Sequence, residues 1–330
     1  MTATRTADVV GPTLADRHPG GRGADHEAHN RARRRREART GLAFIAPFSL
    51  LFLVCFVVPI LVSIRSSVYR AKPTEGGLYG GGQLVDTFVG GENYAQVLGN
   101  RLFWDGMGRV LLFGAVQIPI MIGGALALAL LLDSLLVRRV TIFRLGYFLP
   151  YAIPGVVAAL VWTYIYSPRM SPINQALEVV GGGIDFFAPG TILGSMANMT
   201  TWTFTGYNML IFLAALQAIP GELYEAARID GAGEWAIVRR IKVPLVGPAT
   251  MLAVLLSIIG TIQLFNEPTV LAAVNPWMGK AYTPMMMAYN SMTGGVSPSG
   301  AGPASAISIV MAVGAGLLAA GYAFLQRRSV

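Results

Sequence analysis

The sequence predicts an all-α membrane protein with six transmembrane helices. Hydrophobic residues make up 54% of the chain and charged residues only 13%, and the mean hydropathy is +0.55. A soluble domain carries about a quarter charged residues. Six apolar stretches are each close to the ~20 residues with which a helix crosses ~30 Å of hydrocarbon. We predict spans at residues 41–64, 110–132, 145–166, 192–218, 245–271 and 304–325.

The first 40 residues differ in composition from the rest of the chain. They contain few large apolar residues, so they cannot bury enough surface to offset the entropy of ordering. We predict a disordered, Arg-rich cytoplasmic tail over residues 1–40 and a six-span domain over residues 41–328. The tail ends in an arginine cluster at Arg31, Arg33, Arg34, Arg35, Arg36 and Arg39. A twin-arginine export signal is the rival interpretation, but without a small-residue cleavage site after residue 64 an uncleaved signal-anchor is favoured.

The positions of arginine and lysine predict the orientation. If the N-terminus is inside, the inner segments hold the tail arginines and also Arg138, Arg139, Arg144, Arg228, Arg239, Arg240, Lys242, Arg327 and Arg328. The outer segments hold fewer cations: Arg65, Arg70, Lys72, Arg101, Arg109, Arg169 and Lys280. Because cytoplasmic loops carry the excess of positive charge, both termini are predicted to be cytoplasmic.

The polar segment at residues 220–248 separates the fourth and fifth predicted spans, and the same argument places it in the cytoplasm. Pro220 suits a first helical turn, and Gly231 suits the left-handed conformation that ends a helix. A second short helical pattern follows and is predicted to end at Pro244. The segment is therefore a helix, a glycine turn and a second helix, which together present a surface to a soluble partner.

The residues of this segment resemble the "EAA" loop of binding-protein-dependent ABC importer permeases. The resemblance rests on Glu225, Ala226, Ala227, Asp230, Gly231, Ala232, Ile241 and Pro244. In that family the loop docks into a groove on a cytoplasmic ATPase, so the resemblance implies that these eight residues bind an ATPase. It also implies the six-span fold of type I importer permeases and a location in the plasma membrane of a bacterium or archaeon. The alternative is a cytoplasmic loop whose small residues only pack.

Three further stretches look like the carbohydrate-uptake branch of the family, and specifically like the larger permease of maltose-type transporters. They are residues 148–154, 207–213 and 264–268. This resemblance implies a second permease subunit, two ATP-binding subunits, an extracytoplasmic solute-binding protein and a sugar substrate. The chain lacks that relative's extra N-terminal spans and large extracytoplasmic insert, and it has Pro303 where relatives often carry an aromatic residue.

The sequence carries no pattern that predicts catalysis or a cofactor. There is no P-loop motif, so ATP hydrolysis is expected on a partner subunit. The one cysteine, Cys55, excludes an intramolecular disulfide, and all three histidines lie in the tail. We predict no enzyme activity, no cofactor and no metal site in this chain. The net charge of +8 is spread over span ends and the tail, so it does not indicate nucleic-acid binding.

Hydroxyl, amide and aromatic side chains in the fourth and fifth spans predict the substrate path. A sugar is recognised by hydrogen bonds to its hydroxyls and by aromatic rings against its C–H surfaces. The candidates are Thr203, Tyr207, Ser257, Thr261, Gln263 and Leu264. Ser257, Thr261 and Leu264 share one helix face, and the resemblance to the maltose permease places these three and Tyr207 at substrate-lining positions. The alternative is that these polar groups only bond neighbouring helices.

Two other features of the spans leave alternatives open. Pro119, Pro150 and Pro154 predict kinks, either beside a transport path or with no ligand nearby. Glu267 is either a residue of the path or its gate, or an interfacial acid capped by backbone.

Three classes of function remain at this point. The first is the permease of an ATP-driven sugar importer, or of an importer for another solute such as glycerol phosphate or an oligopeptide. The second is a secondary transporter or channel acting alone, and the third is a membrane-embedded enzyme. Scarce intramembrane charges disfavour the second class, and missing catalytic motifs disfavour the third.

Overall fold

The computed structural model describes residues 21–73, 84–134, 139–168, 170–179 and 182–327. The chain forms two compact units, Met1–Val62 and Ser63–Val330, and each is described by itself. The first helices are α1 (Gly21–Phe52), a π-helical turn (Leu53–Val57) and α2 (Val58–Ser67). The elements that follow are β1 (Tyr69–Pro73), β2 (Leu84–Phe88), α3 (Glu92–Gly99), α4 (Arg101–Asp133), α5 (Val140–Phe148), a 3₁₀ turn (Leu149–Ala152), α6 (Gly155–Tyr166), α7 (Pro172–Glu178) and α8 (Ile192–Gln217). The remaining elements are α9 (Gly221–Ile229), α10 (Glu234–Ile237), a π-helical turn (Val238–Lys242), α11 (Val243–Leu245), α12 (Gly247–Ile262), α13 (Asn266–Val274), a 3₁₀ turn (Pro276–Met278), α14 (Pro284–Met292) and α15 (Ala301–Arg327).

The helix α1 includes part of the segment for which the sequence predicts a disordered tail. It begins at Gly21, so residues 21–40 are helical where the sequence predicted disorder. Alanine, arginine and glutamate are good helix formers, and Arg33 and Glu37 form an i,i+4 ion pair at 2.9 Å. Residues 21–40 also continue the helix of the apolar span, so they do not bear the free-energy cost of starting a new helix. Residues 1–20 lie outside the described residues, and disorder stays a prediction for them.

Four continuous helices are long and apolar enough to cross a membrane. They are Arg39–Ser67, Arg101–Asp133, Gly247–Val274 and Ala301–Gln326. Two bent helix pairs also pass this test, Val140–Ala152 with Gly155–Tyr166 and Ile192–Gln217 with Gly221–Ile229. If each bent pair crosses once, the described residues contain six spans. Large apolar side chains such as Leu145 and Leu317 stay exposed on these helices, as lipid contact requires. The prediction of a helical membrane protein is confirmed.

The third predicted span is sharply bent at the position of its prolines. Its two helices meet at 97°. Pro154 follows an extended Ile153 and precedes α6, and a residue before proline avoids the helical conformation. Pro119, by contrast, lies inside the continuous helix α4. The two prolines therefore have different outcomes: Pro154 precedes the start of a new helix, and Pro119 is accommodated within one.

The largest packing interface of the second unit joins α4 and α8. Met121, Ala125, Met209 and Phe212 are among the buried residues of this core. Gly206 permits α5 to approach α8, because a Cβ at this position would overlap the carbonyl oxygen of Tyr147. The core thus holds α4, α5 and α8 together around the region where the candidate residues lie.

A short β-hairpin departs from the all-α prediction. Strands β1 and β2 pair antiparallel, with Tyr69 opposite Phe88. The buried Asn93 of α3 donates to the carbonyl oxygens of Ser67 and Tyr69, and it accepts from Arg70. Because these bonds satisfy the backbone at the start of β1, they fix the hairpin against α3.

Candidate functional site

One cavity of about 310 Å³ opens among α4, α8, α12 and the break between α12 and α13. Of the predicted path residues, five line it: Tyr207, Ser257, Thr261, Gln263 and Leu264. Thr203 does not line it; this side chain is buried, and its hydroxyl donates to the carbonyl oxygen of Met199 at 3.0 Å. The structure therefore brings five of the six predicted residues together.

Aromatic rings form one wall of the cavity. The rings of Tyr151 and Tyr207 stack with centroids 4.7 Å apart and planes 18° apart. Phe204 meets Tyr151 edge-on at 5.8 Å. Tyr151 lies at the bend before α6 and reaches both rings on α8. A stacked pair beside a polar cavity offers a flat apolar surface to a ligand.

Polar groups form the other walls. Ser257 donates to the carbonyl oxygen of Ala253 at 2.7 Å, so its own oxygen keeps acceptor capacity. The methyl group of Thr261 lies against Gly114 of α4, where a Cβ would come within 2.8 Å of it. This contact holds α12 close to α4, and Thr261 forms part of the cavity wall. Asn208 donates to the carbonyl oxygen of Phe204 at 3.0 Å, and its carbonyl oxygen is the acceptor that it can offer.

Sequence reasoning missed the contribution of α4. Phe113, Gln117 and Met121 line the cavity from this helix. Gln117 is 4% exposed, and its amide lies 3.2 Å from the sulfur of Met121. The sequence did contain a signal for Gln117: it is a single amide in an otherwise apolar stretch, two residues before Pro119. Such a group is costly in hydrocarbon unless it has a hydrogen-bond partner.

The polar segment at residues 220–248 forms a second concave surface, of about 820 Å³. Its lining includes five of the predicted docking residues: Ala227, Asp230, Gly231, Ala232 and Ile241. Glu225 and Ala226 are exposed on α9 outside this concavity, and Pro244 is exposed beyond it. Gly231 has φ +80°, the left-handed conformation predicted for it. Trp235 is 76% exposed at the rim, an unusual position for so large an apolar side chain.

Pro244 does not end the second helix of this segment, contrary to the prediction. The helical path runs on to Leu245. A π-helical turn precedes the proline, in which the amide of Val243 bonds the carbonyl oxygen of Val238. Pro244 then lies in the first turn of α11. An amide in the first turn has no partner within its own helix, so the missing N–H of proline costs no hydrogen bond there.

One buried ion pair fixes this segment to α4. Lys242 Nζ lies 2.6 Å from Asp133 Oδ2, and the side chains are 11% and 16% exposed. The same ammonium lies 5.1 Å from the ring centroid of Tyr224 on α9. Arg228 and Glu234 pair at 2.8 Å across the glycine turn but are exposed. The buried pair therefore carries more of the positioning, because exposed pairs contribute little.

A bundle of apolar helices around a polar cavity, with an exposed polar segment anchored to one helix of that cavity, defines a membrane transport protein. Residues 120–330 match the family described as binding-protein-dependent transport system inner membrane component. The chain belongs to this family, and its fold is that of an ABC importer permease.

Three curated relatives illustrate the similarity. The lactose transport system permease protein LacF of Rhizobium radiobacter is 33% identical over 69% of this chain and 74% of its own length. The arabinooligosaccharides transport system permease protein AraP of Bacillus subtilis is 32% identical over 69% and 70%. The trehalose/maltose transport system permease protein MalF of Thermococcus litoralis is 30% identical over 77% and 84%.

Solved structures show the same fold. A chain of a bacterial ABC transporter involved in the import of the acidic polysaccharide alginate matches with a TM-score of 0.70. The match covers 89% of this chain and 96% of that one at 18% identity. A chain of a bacterial alginate ABC transporter in complex with an alginate pentasaccharide-bound periplasmic protein also matches with a TM-score of 0.70, at 19% identity.

Proposed function

We propose that this chain is a permease subunit of an ATP-driven sugar importer. Its partners are a second permease, two ATP-binding subunits that hydrolyse ATP, and an extracytoplasmic solute-binding protein. The observation that carries the proposal is the cavity lined by Tyr207, Ser257 and Thr261, which combines an aromatic wall with hydroxyls and amides. Relatives named for lactose, arabinooligosaccharide and trehalose/maltose transport support the choice of sugar.

The cavity supplies a sugar with the contacts that it needs. The stacked rings of Tyr151 and Tyr207 offer an apolar surface to the C–H face of a pyranose. Gln263 offers both a donor and an acceptor to sugar hydroxyls, and Ser257 offers its hydroxyl oxygen. The cavity lies among the membrane-spanning helices, so it belongs to the translocation path.

The polar segment is the ATPase-docking surface in this proposal. Glu225 and Asp230 present exposed carboxylates, and the concavity beside them offers room for side chains of a partner. Charge-assisted hydrogen bonds from arginines of an ATPase suit such carboxylates. The arginine bias supports a cytoplasmic location for this segment and for both termini. Relatives from organisms such as Bacillus subtilis and Thermococcus litoralis support a bacterial or archaeal cell.

Reconstitution tests the proposal. The tagged chain is purified from its native membranes with the subunits that copurify, and placed in proteoliposomes with ATP inside and the binding protein outside. Uptake of radiolabelled lactose, maltose or trehalose should require both ATP and the binding protein. Uptake that persists without the ATP-binding subunits would identify a secondary transporter instead, and uptake of no sugar would remove the proposed substrate class.

A further inference from the structure

Glu267 is a buried carboxyl group that faces the candidate cavity. It lies in the first turn of α13, is 8% exposed and lines the cavity. Throughout the described ranges no lysine, arginine or histidine forms an ion pair with it, and no other side chain donates a hydrogen bond to it. An acid among membrane spans is costly unless it faces water, protein or a ligand.

The other polar groups of the cavity are neutral. Gln117, Asn208, Gln263 and Asn266 contribute amides, and the lining formed by the described residues contains no cation. Amides and hydroxyls can both donate hydrogen bonds to an uncharged sugar and accept hydrogen bonds from it. An anionic ligand would find no counter-charge among the described residues that line the cavity.

A carboxylate is the strongest hydrogen-bond acceptor that a sugar hydroxyl can meet. It has two oxygens and accepts without donating, so two neighbouring hydroxyls of a sugar can both donate to it. The same group repels a carboxylate, phosphate or sulfonate brought into the cavity. Recognition and exclusion therefore come from one residue, a form of specificity that uses repulsion as well as attraction.

We propose that Glu267 makes this cavity selective for sugars without negative charge, by accepting hydrogen bonds from their hydroxyls. This inference rests on the proposed function, because it specifies the substrate class of the same cavity. Glu267 is a specificity-determining residue that touches the substrate.

The test compares matched neutral and acidic sugars. Binding to the assembled, detergent-purified importer is measured for lactose, maltose and trehalose, and for the uronate of each, in which one primary alcohol is replaced by a carboxylate. The sugar that is transported should bind at least tenfold more tightly than its uronate. Glu267→Gln should bring the two affinities within threefold of each other, whereas Glu267→Asp should keep most of the discrimination.

Glu178→Gln is the matched control, because Glu178 is an exposed carboxylate at the end of α7 and does not line the cavity. It should leave the ratio of affinities unchanged. If the ratio of the sugar affinity to the uronate affinity is the same in the native chain and in Glu267→Gln, the inference is overturned. ATP-driven sugar uptake would still support the proposed function in that case. If Glu267→Gln does not assemble, a native importer that binds the uronate as tightly as the neutral sugar overturns it equally.

Discussion

Lys242 Nζ and Asp133 Oδ2 lie 2.6 Å apart, and this contact joins the polar segment at residues 220–248 to the end of α4. The same helix carries Gln117 and Met121 into the cavity three to four turns away. A helix that is bonded at one end to the proposed docking surface and that lines the cavity with its middle turns offers a physical connection between the two sites.

Breaking this ion pair should destabilise the protein and weaken coupling. Asp133→Asn leaves the lysine cation poorly solvated and unpaired, which costs about 3 kcal/mol for a buried pair. We expect a lower thermal unfolding temperature in detergent and less sugar transported per ATP hydrolysed. Asp133→Lys combined with Lys242→Asp restores opposite charges and should recover part of both losses.

Asp105→Asn is the control for this prediction. Asp105 pairs with Arg101 at 3.8 Å, and the arginine side chain is 93% exposed. Exposed pairs contribute about 0–1 kcal/mol, so this variant should unfold close to the native temperature. Equal behaviour of Asp133→Asn and Asp105→Asn would contradict the assigned role of the buried pair.

The glycine turn of the polar segment offers a test of backbone conformation. Gly231→Ala places a Cβ at φ +80° without any neighbour within 4 Å, so its effect comes from strain alone, about 1 kcal/mol. We expect weaker copurification of the ATP-binding subunits, because α9 and α10 lose their relative orientation. Gly221→Ala is matched to it, since Gly221 is equally open but has no positive φ and lies outside the concavity, and this variant should copurify normally.

Charge reversal on α9 tests the docking surface directly. Glu225→Lys should reduce ATPase association at least tenfold, because a partner arginine would then meet a like charge. The effect should be larger at low ionic strength. Glu222→Lys reverses a second exposed carboxylate of α9 that lies outside the predicted docking set. If both variants lose association to the same extent, general electrostatics rather than a specific contact at Glu225 is responsible.

Two cavity variants test the substrate path. Tyr207→Ala removes one of the two stacked rings of the aromatic wall. We expect the apparent KM for the sugar to rise about fivefold, since a ring packed on an aromatic face gains on the order of 1 kcal/mol. Thr261→Val keeps the methyl contact with Gly114 but loses the hydroxyl. Its KM should rise with little change in assembly.

Thr250→Val is the control for the second variant. Thr250 lies on the same helix, and its hydroxyl donates to the carbonyl oxygen of Val246 outside the cavity. If Tyr207→Ala and Thr261→Val both show the same uptake kinetics as Thr250→Val, this substrate path is ruled out.

Two exposed apolar positions test the topology. Val179 follows α7 and is 85% exposed, and Ile229 ends α9 and is 86% exposed. In a chain with Cys55 replaced by alanine, Val179→Cys should react with an impermeant thiol reagent added to intact cells. Ile229→Cys should react only after the membrane is opened. The reverse pattern would invert the orientation and move the polar segment away from a cytoplasmic ATPase.

The sequence by itself determined the membrane character of the chain and the local form of its polar segment. Hydrocarbon admits only backbone whose hydrogen bonds are made internally, so long apolar stretches must be helical whatever they pack against. The conformation of Gly231 was predicted for a similar reason. Whether a residue adopts the left-handed backbone conformation depends on its own side chain and its immediate neighbours. Such signals act within one or two helical turns.

Only the tertiary structure decided which helix faces meet. Thr203 and Tyr207 lie one turn apart on α8, yet Thr203 is buried away from the cavity and Tyr207 lines it. Gln117 enters the lining from a helix some 90 residues earlier in the chain. Its amide in an apolar stretch indicated that it needs a polar environment, but not which helices supply that environment. The physical reason is that helix rotation and approach are set by contacts between distant segments, such as Gly206 against Tyr147 and Gly114 against Thr261. Composition and spacing within one span do not determine those contacts.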